Sequence, residues 1–202
     1  MDQETHSLVS TDWLEAHLDT PDIRIVDATW HMPGEGRNAF EEFQEAHLKN
    51  AVFFDLDKTS DDTSPHPHML PSTEKFASTM QKLGLGNGLH IIVYDNSKYR
   101  SAARLWWMLR IFGHKDVAVL DGGLQKWISE GRPVESHPTP LRERHFSTRF
   151  DRTLVRDRHQ VEASLGNANI QIVDARSKGR FSGLEPEPRP GMRSGCLLYT
   201  SD

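Results

Sequence analysis

The sequence predicts an α/β fold: a parallel sheet flanked by helices, present as one complete domain plus the start of a second copy. Three observations carry this. Short β-branched runs alternate with helical stretches as far as Trp127, the pattern of a parallel sheet covered on both faces. Asp27, Asp95 and Asp121 each stand just beyond a strand, on the edge where such sheets bind ligands. Ile25-Val26-Asp27-Ala28 returns as Ile172-Val173-Asp174-Ala175, an offset of 147 from position 25 to position 172. Each copy follows a capped helical stretch, led by Leu8-Val9 and by Leu154-Val155.

The elements follow in order. Ser10 or Thr11 caps a short helix through Leu18, with Asp12 favourable in its first turn. Ile23 to Val26 is a β-branched strand ending at Asp27. Phe40 and Phe43 at helical spacing predict a surface helix over 39–46, and Ala51-Val52-Phe53-Phe54 a buried strand. Thr59 to Pro71, rich in proline and polar residues, is a loop. Ser72 caps a helix to Leu83, closed by Gly84. His90 to Tyr94 is apolar enough for a strand buried on both faces. Ser101 to Phe112 is an apolar helix stopped by Gly113; Val117 to Leu120 is a further strand; Gly122-Gly123 turns into a helix around Trp127. The domain boundaries read 7–131 for the first unit, 132–153 for a charged, proline-bearing linker, and 154–195 for an incomplete second unit with a helix near 155–165 and a strand at 170–174.

Composition excludes several classes. The 202 residues carry a net charge of −5, with basic residues interspersed among acids, which argues against a non-specific nucleic-acid binder. No apolar run is long enough to span a bilayer, so no membrane partner is expected. Met1-Asp2-Gln3-Glu4 lacks the form of a secretory signal, and the expectation is a cytoplasmic protein. The single cysteine, Cys196, excludes an internal disulfide and any CxxC pair.

Several motifs converge: Ile25-Val26-Asp27-Ala28, Tyr94-Asp95, the run Ser101 to Met108 (SAARLWWM), the run Leu120 to Trp127 (LDGGLQKW), Val173-Asp174-Ala175-Arg176, Gly179-Arg180-Phe181 and the run Glu185 to Arg189 (EPEPR). In this order and with this duplication they resemble the tandem rhodanese family of sulfurtransferases, and within it the 3-mercaptopyruvate type, over nearly all of residues 7–195. The resemblance implies a rhodanese-like fold, a catalytically silent N-terminal domain, and a C-terminal domain whose cysteine takes sulfur from 3-mercaptopyruvate as a persulfide. The sulfur then passes to cyanide or a thiol. It also implies a small-molecule sulfur donor, a thioredoxin-like reductant as a partner, and no cofactor. The chemistry is coherent: a thiolate held by backbone N–H groups at a helix N-terminus is a soft nucleophile, and arginines fix a substrate carboxylate.

Under this resemblance Asp95 stands in the silent domain where the active one has its nucleophile; a carboxylate suits the same N–H cradle but carries no transferable sulfur. Arg180 and Arg189 match the arginines that grip the substrate, against the plainer alternative of ion pairs with Glu185 or Glu187. Arg176 is expected to support the fold through a salt bridge. The nucleophile itself is expected at about position 242, the counterpart of Asp95, so no catalytic residue is assigned in this chain and the chain by itself is expected to be inactive. Cys196 is not that nucleophile, because no turn or helix start follows it. Residues 196–202 replace a His-Ile-Pro-Gly-Ala type segment, kept in the first copy as His47-Leu48-Lys49-Asn50-Ala51, and are expected to be a non-native tail.

Other signals have plainer readings. His66-Pro67-His68 lacks nearby carboxylates or thiols and reads as a solvent loop, so no metal is assigned. Trp106 and Trp107 lie on an apolar helix and read as core or interface. The Gly84 to Gly88 run precedes a strand and is a turn, not a phosphate cradle. Two alternatives to the mercaptopyruvate type stay open: thiosulfate sulfurtransferase and a non-catalytic rhodanese-like binding module. Limited proteolysis is expected to leave a core ending near 132–153.

Overall fold

A computed structural model describes residues 7–187, in two units that divide after Leu154. The first unit is built on five strands: β1 (Leu8–Val9), β2 (Ile23–Asp27), β3 (Val52–Phe53), β4 (His90–Tyr94) and β5 (Val117–Leu120). Every pairing is parallel and the order is β1-β5-β4-β2-β3, which puts β4 in the middle. Between them lie α1 (Thr11–His17), α2 (Ala39–Glu45), α3 (Leu56–Thr59), α4 (Thr73–Lys82), α5 (Ala102–Ile111) and α6 (Gly123–Ser129).

Helices α1, α2 and α4 begin where side-chain oxygens take orphan N–H groups. The Ser10 hydroxyl accepts from Trp13 N at 3.1 Å, the Asn38 carbonyl from Phe40 N and Glu41 N, and the Ser72 hydroxyl from Lys75 N at 3.1 Å. Two elements go beyond the sequence reading. Leu8–Val9, read only as the lead into a helix, pairs with β5 as an edge strand, and α3 adds a turn capped by Asp55.

The alternation of side chains along the central strands makes two cores. Val26, Ile91, Val93 and Val117 join Phe76, Phe112 and Met108 on one face. Ile25, Ile92, Tyr94 and Leu120 join Leu14, Leu124 and Trp127 on the other. Trp106 and Trp107 are half-buried against the first core.

Residues 132–153, read from composition as a linker, belong to the first unit and form a strap along the rest of it. Phe146 is 1% exposed and meets Phe76 edge-on, with ring centroids 6.0 Å apart. Asn87 and Ser147 exchange two hydrogen bonds, Arg149 N donates to Phe112 O at 2.8 Å, and Asp151 N to Ile111 O at 2.7 Å. The strap fits because Gly113 offers no side chain: a Cβ there would lie 3.0 Å from the Arg149 carbonyl oxygen.

In the second unit, α7 (Arg158–Ser164) opens with a reciprocal capping box between Asp157 and Gln160, inside the expected 155–165 span. A further turn, α8, covers Lys178–Phe181. The strand expected at 170–174 does not form, and Val173 is 78% exposed. A strand needs a neighbour for its N–H and C=O groups, and all the strands among the described residues belong to the first unit. Among the described residues of this unit none is fully buried, so it has no core of its own there.

Candidate functional site

The middle strand β4 ends at the C-terminal sheet edge and continues through residues 95–101 onto the N-terminus of α5. Asp95 opens this loop and is buried. Its Oδ1 accepts from Ser97 N at 3.0 Å and its Oδ2 from Ala102 N, the first residue of α5, at 2.8 Å. The carboxylate therefore occupies the N–H cradle at the positive end of the helix. Its main-chain oxygen accepts from Leu124 N at 3.0 Å, an approach possible only because residue 123 is glycine: a Cβ there would sit 2.3 Å from that oxygen.

The segment after β2 braces the loop. Asn96 N donates to the Thr29 hydroxyl at 2.9 Å, the Ser97 hydroxyl donates to Trp30 O at 2.7 Å, and Trp30 N donates to the Ser101 hydroxyl at 3.1 Å. Asp27, at the end of β2, accepts from Thr29 N at 2.8 Å. Burial pushes the Asp27 carboxyl up to about 6, against the pull of its hydrogen bonds to Thr29 and Tyr94, and the nearby charge of Asp95 adds to the rise. A cleft of about 380 Å³ lies beside the loop, bordered by Asp95, Arg100, Asp121 and Gly122. Arg100 holds a left-handed backbone at φ 54°, and Asp121 pairs with Lys126 at 3.2 Å.

Chemically, Asp95 is a fixed acceptor in this loop: both of its carboxylate oxygens are engaged by N–H groups. Among the described residues no group of three His, Cys, Asp or Glu side chains is placed to hold a metal ion. His68, from the His66-Pro67-His68 segment, meets Asp57 at 2.8 Å. No helix among the described residues is long and apolar enough to cross a membrane.

The second-unit residues form a compact ion network. Arg176 binds Asp174 and reaches Glu187 Oε1 at 2.6 Å; Arg180 reaches Glu187 Oε2 through Nε at 3.2 Å and Nη2 at 2.5 Å. The hydrogen bond from Arg180, reinforced by Arg176, holds the Glu187 carboxyl below the usual carboxylate range. The Arg176 guanidinium holds Asp174 down at about 2. Asp174 thus differs from its repeat partner Asp27, which is buried. Arg189 and Cys196, and the seven-residue tail at 196–202, lie outside the described residues. The sequence reading did not anticipate the raised Asp27 or the left-handed Arg100. A carboxylate directly after a doubly buried strand was the available signal for the first; nothing in the sequence marks the second.

A parallel five-stranded sheet whose middle strand opens through such a loop onto a helix defines a rhodanese-like domain. The family model for the rhodanese-like domain matches residues 10–130. The chain is 44% identical to thiosulfate/3-mercaptopyruvate sulfurtransferase 1, mitochondrial, of Arabidopsis thaliana, over 94% of its own length and 56% of the relative's. It is 40% identical to 3-mercaptopyruvate sulfurtransferase of Homo sapiens, over 98% of this chain and 69% of that one. Thiosulfate sulfurtransferase of Cricetulus griseus matches at 43% over 95% and 66%. The crystal structure of SseA from Escherichia coli, reported among 3-mercaptopyruvate sulfotransferases, superposes with a TM-score of 0.83 at 40% identity, covering 94% of this chain and 72% of that one. The chain belongs to the rhodanese family. It spans between about half and somewhat over two thirds of the length of these relatives.

Proposed function

We propose that the protein is a sulfurtransferase that takes sulfur from 3-mercaptopyruvate and delivers it to a thiol or cyanide, with residues 7–131 as the silent domain and the reactive cysteine outside these 202 residues. The observation that carries this reading is Asp95, whose carboxylate fills the cradle where the loop meets α5. In the domain that carries the thiolate, the sulfur attacks the mercapto sulfur of the donor. An S–S bond forms, the C–S bond breaks, and its electron pair leaves on the enolate of pyruvate, which then takes a proton. The acceptor thiolate or cyanide attacks the outer sulfur and returns the enzyme thiolate, so donor and acceptor balance the reaction.

Arg180 and Arg189 are proposed to hold the donor's carboxylate and carbonyl. In the structure Arg180 makes the plainer ion pair, with Nε and Nη2 both on one oxygen of Glu187, so a substrate carboxylate would take this guanidinium by displacing Glu187. A thioredoxin-like protein is the proposed reductant. A second reading, with thiosulfate as donor, is favoured by the relative of that name at 43% identity. It predicts a weaker dependence on a carboxylate grip.

Pyruvate release from 3-mercaptopyruvate, measured beside thiocyanate formation from thiosulfate, tests both. The gene product carrying both domains is expected to release pyruvate, and the 202-residue chain none. Arg180→Lys in the active protein is expected to lower kcat/KM for 3-mercaptopyruvate by about tenfold or more, because lysine loses the planar fork. Turnover by the 202-residue chain that disappears in Cys196→Ser would overturn the reading.

A further inference from the structure

A groove runs along the first unit beside the edge strand β3, and its two halves differ in chemistry. One half, about 340 Å³, is bordered by Arg24, Arg142 and Arg144. The other, about 300 Å³, is bordered by Phe40, Phe43 and Phe53. Val52, Leu83, Thr139 and Leu141 border both, so the halves are continuous. Phe40 is 49% and Leu141 55% exposed, apolar surface that folding leaves open. Arg24 stands near the start of β2, at the sheet edge opposite Asp95.

The cationic end is held in place but not neutralised. Arg24 Nη1 donates to Pro21 O at 3.1 Å and to Ile23 O at 2.6 Å, which fixes the guanidinium without a counter-charge. Burial, and then the charge of Arg144, lowers the Arg24 pKa from its ordinary value, and the guanidinium remains a cation. The backbone under Arg142 and Arg144 is pressed onto a glycine turn. A Cβ at Gly84 would meet the Arg142 carbonyl oxygen at 2.8 Å, and one at Gly86 would meet the Arg144 Cβ at 2.8 Å. The acid on this border, Asp19, is engaged by Lys49 at 2.6 Å, and Glu143 does not border the groove. Among the described residues no acidic side chain pairs with Arg24, Arg142 or Arg144. Three gathered cations in a chain of net charge −5 form a focused positive field next to an aromatic trough.

We propose that this groove binds a single-chain carboxylate amphiphile, a fatty-acid-like molecule with its carboxylate among Arg24, Arg142 and Arg144 and its alkyl chain along Phe40, Phe43 and Phe53. Arginine forks match a carboxylate in geometry. The trough accounts for the tail, since a small inorganic anion would leave it uncovered. The site is independent of the sulfur chemistry and stands whether or not that reading does.

Titration calorimetry on the 202-residue chain, with octanoate, 1-octanol and acetate as probes, tests this. Octanoate is expected to saturate one site and to bind at least about tenfold tighter than either 1-octanol or acetate, with each added methylene from hexanoate upward tightening Kd roughly fourfold. Arg142→Gln/Arg144→Gln is expected to weaken octanoate about tenfold or more, to leave 1-octanol unchanged, and to leave the melting temperature unchanged, since both side chains are exposed. On the unsubstituted chain, octanoate is expected to shift the amide resonances of residues 139–144 and 40–53. Octanoate binding no tighter than acetate, equal binding by the double variant, or resonance shifts confined to other residues would each overturn the proposal.

Discussion

Asp27 and Asp95 lie at the ends of neighbouring strands and use their charge in opposite ways. Asp95 is held as an acceptor by Ser97 N and Ala102 N, so removing it orphans two buried N–H groups. Asp95→Ala is expected to destabilise the first unit by about 1–3 kcal/mol for each N–H left without a partner, and Asp95→Asn by less, as read by urea denaturation. Asp27 is the reverse case. Its carboxyl is raised from 3.8 to about 6 in the fold. A raised folded value means the contribution is full below the unfolded value and is lost as pH rises through the folded one. The loss amounts to about 3 kcal/mol. Asp27→Asn removes this dependence, so its stability relative to the parent is expected to improve by about that amount from about pH 4 to about pH 7. A gap that stays constant with pH would show that Asp27 titrates normally. Neither behaviour was legible from residue identity, because both depend on which N–H groups and which buried surface the fold brings to each carboxylate.

At the scale of elements, strands with dense apolar runs and helices with serine or asparagine caps were legible from local sequence. His90–Tyr94 and Val117–Leu120 form where the β-branched runs stand, and α4 begins after Ser72. The failures share one physical cause, the need for a partner. Ile170 to Asp174 has the same local pattern as Ile23 to Asp27, yet lacks a ladder among the described residues. Leu8–Val9 is too short to be read as a strand and is made one by β5. Composition also hides the strap: its charges and prolines are visible, whereas Phe146 earns its place only through the pocket beside Phe76. Phe146→Ala is expected to cost about 3–5 kcal/mol, and Glu143→Gln on the same strap less than about 0.5 kcal/mol, in paired denaturation curves.

For the whole molecule, the α/β class and the family were legible because they rest on patterns spread over many residues, and the match over residues 10–130 bears out the family. The oxyanion-like cradle around Asp95 followed only from the resemblance, and the arginine groove not at all, since Arg24 and Arg144 are far apart in sequence. The strap also moves the expected proteolytic boundary. Trypsin is expected to spare Arg142, Arg144 and Arg149, whose backbone is tied to the first unit, and to cut first at Arg156 or Arg158. Mass spectrometry of the resistant core checks this, and a core ending at Arg142 would contradict it.

That strap has a consequence for the order of events during synthesis. Phe76 and Phe112 leave the ribosome before Phe146 does, so the nascent first unit must wait, with one wall of its core unsealed, until the chain has grown through Asp151. A translational pause placed before that point would hold a half-closed sheet in front of the chaperones; one placed after it would release a finished unit.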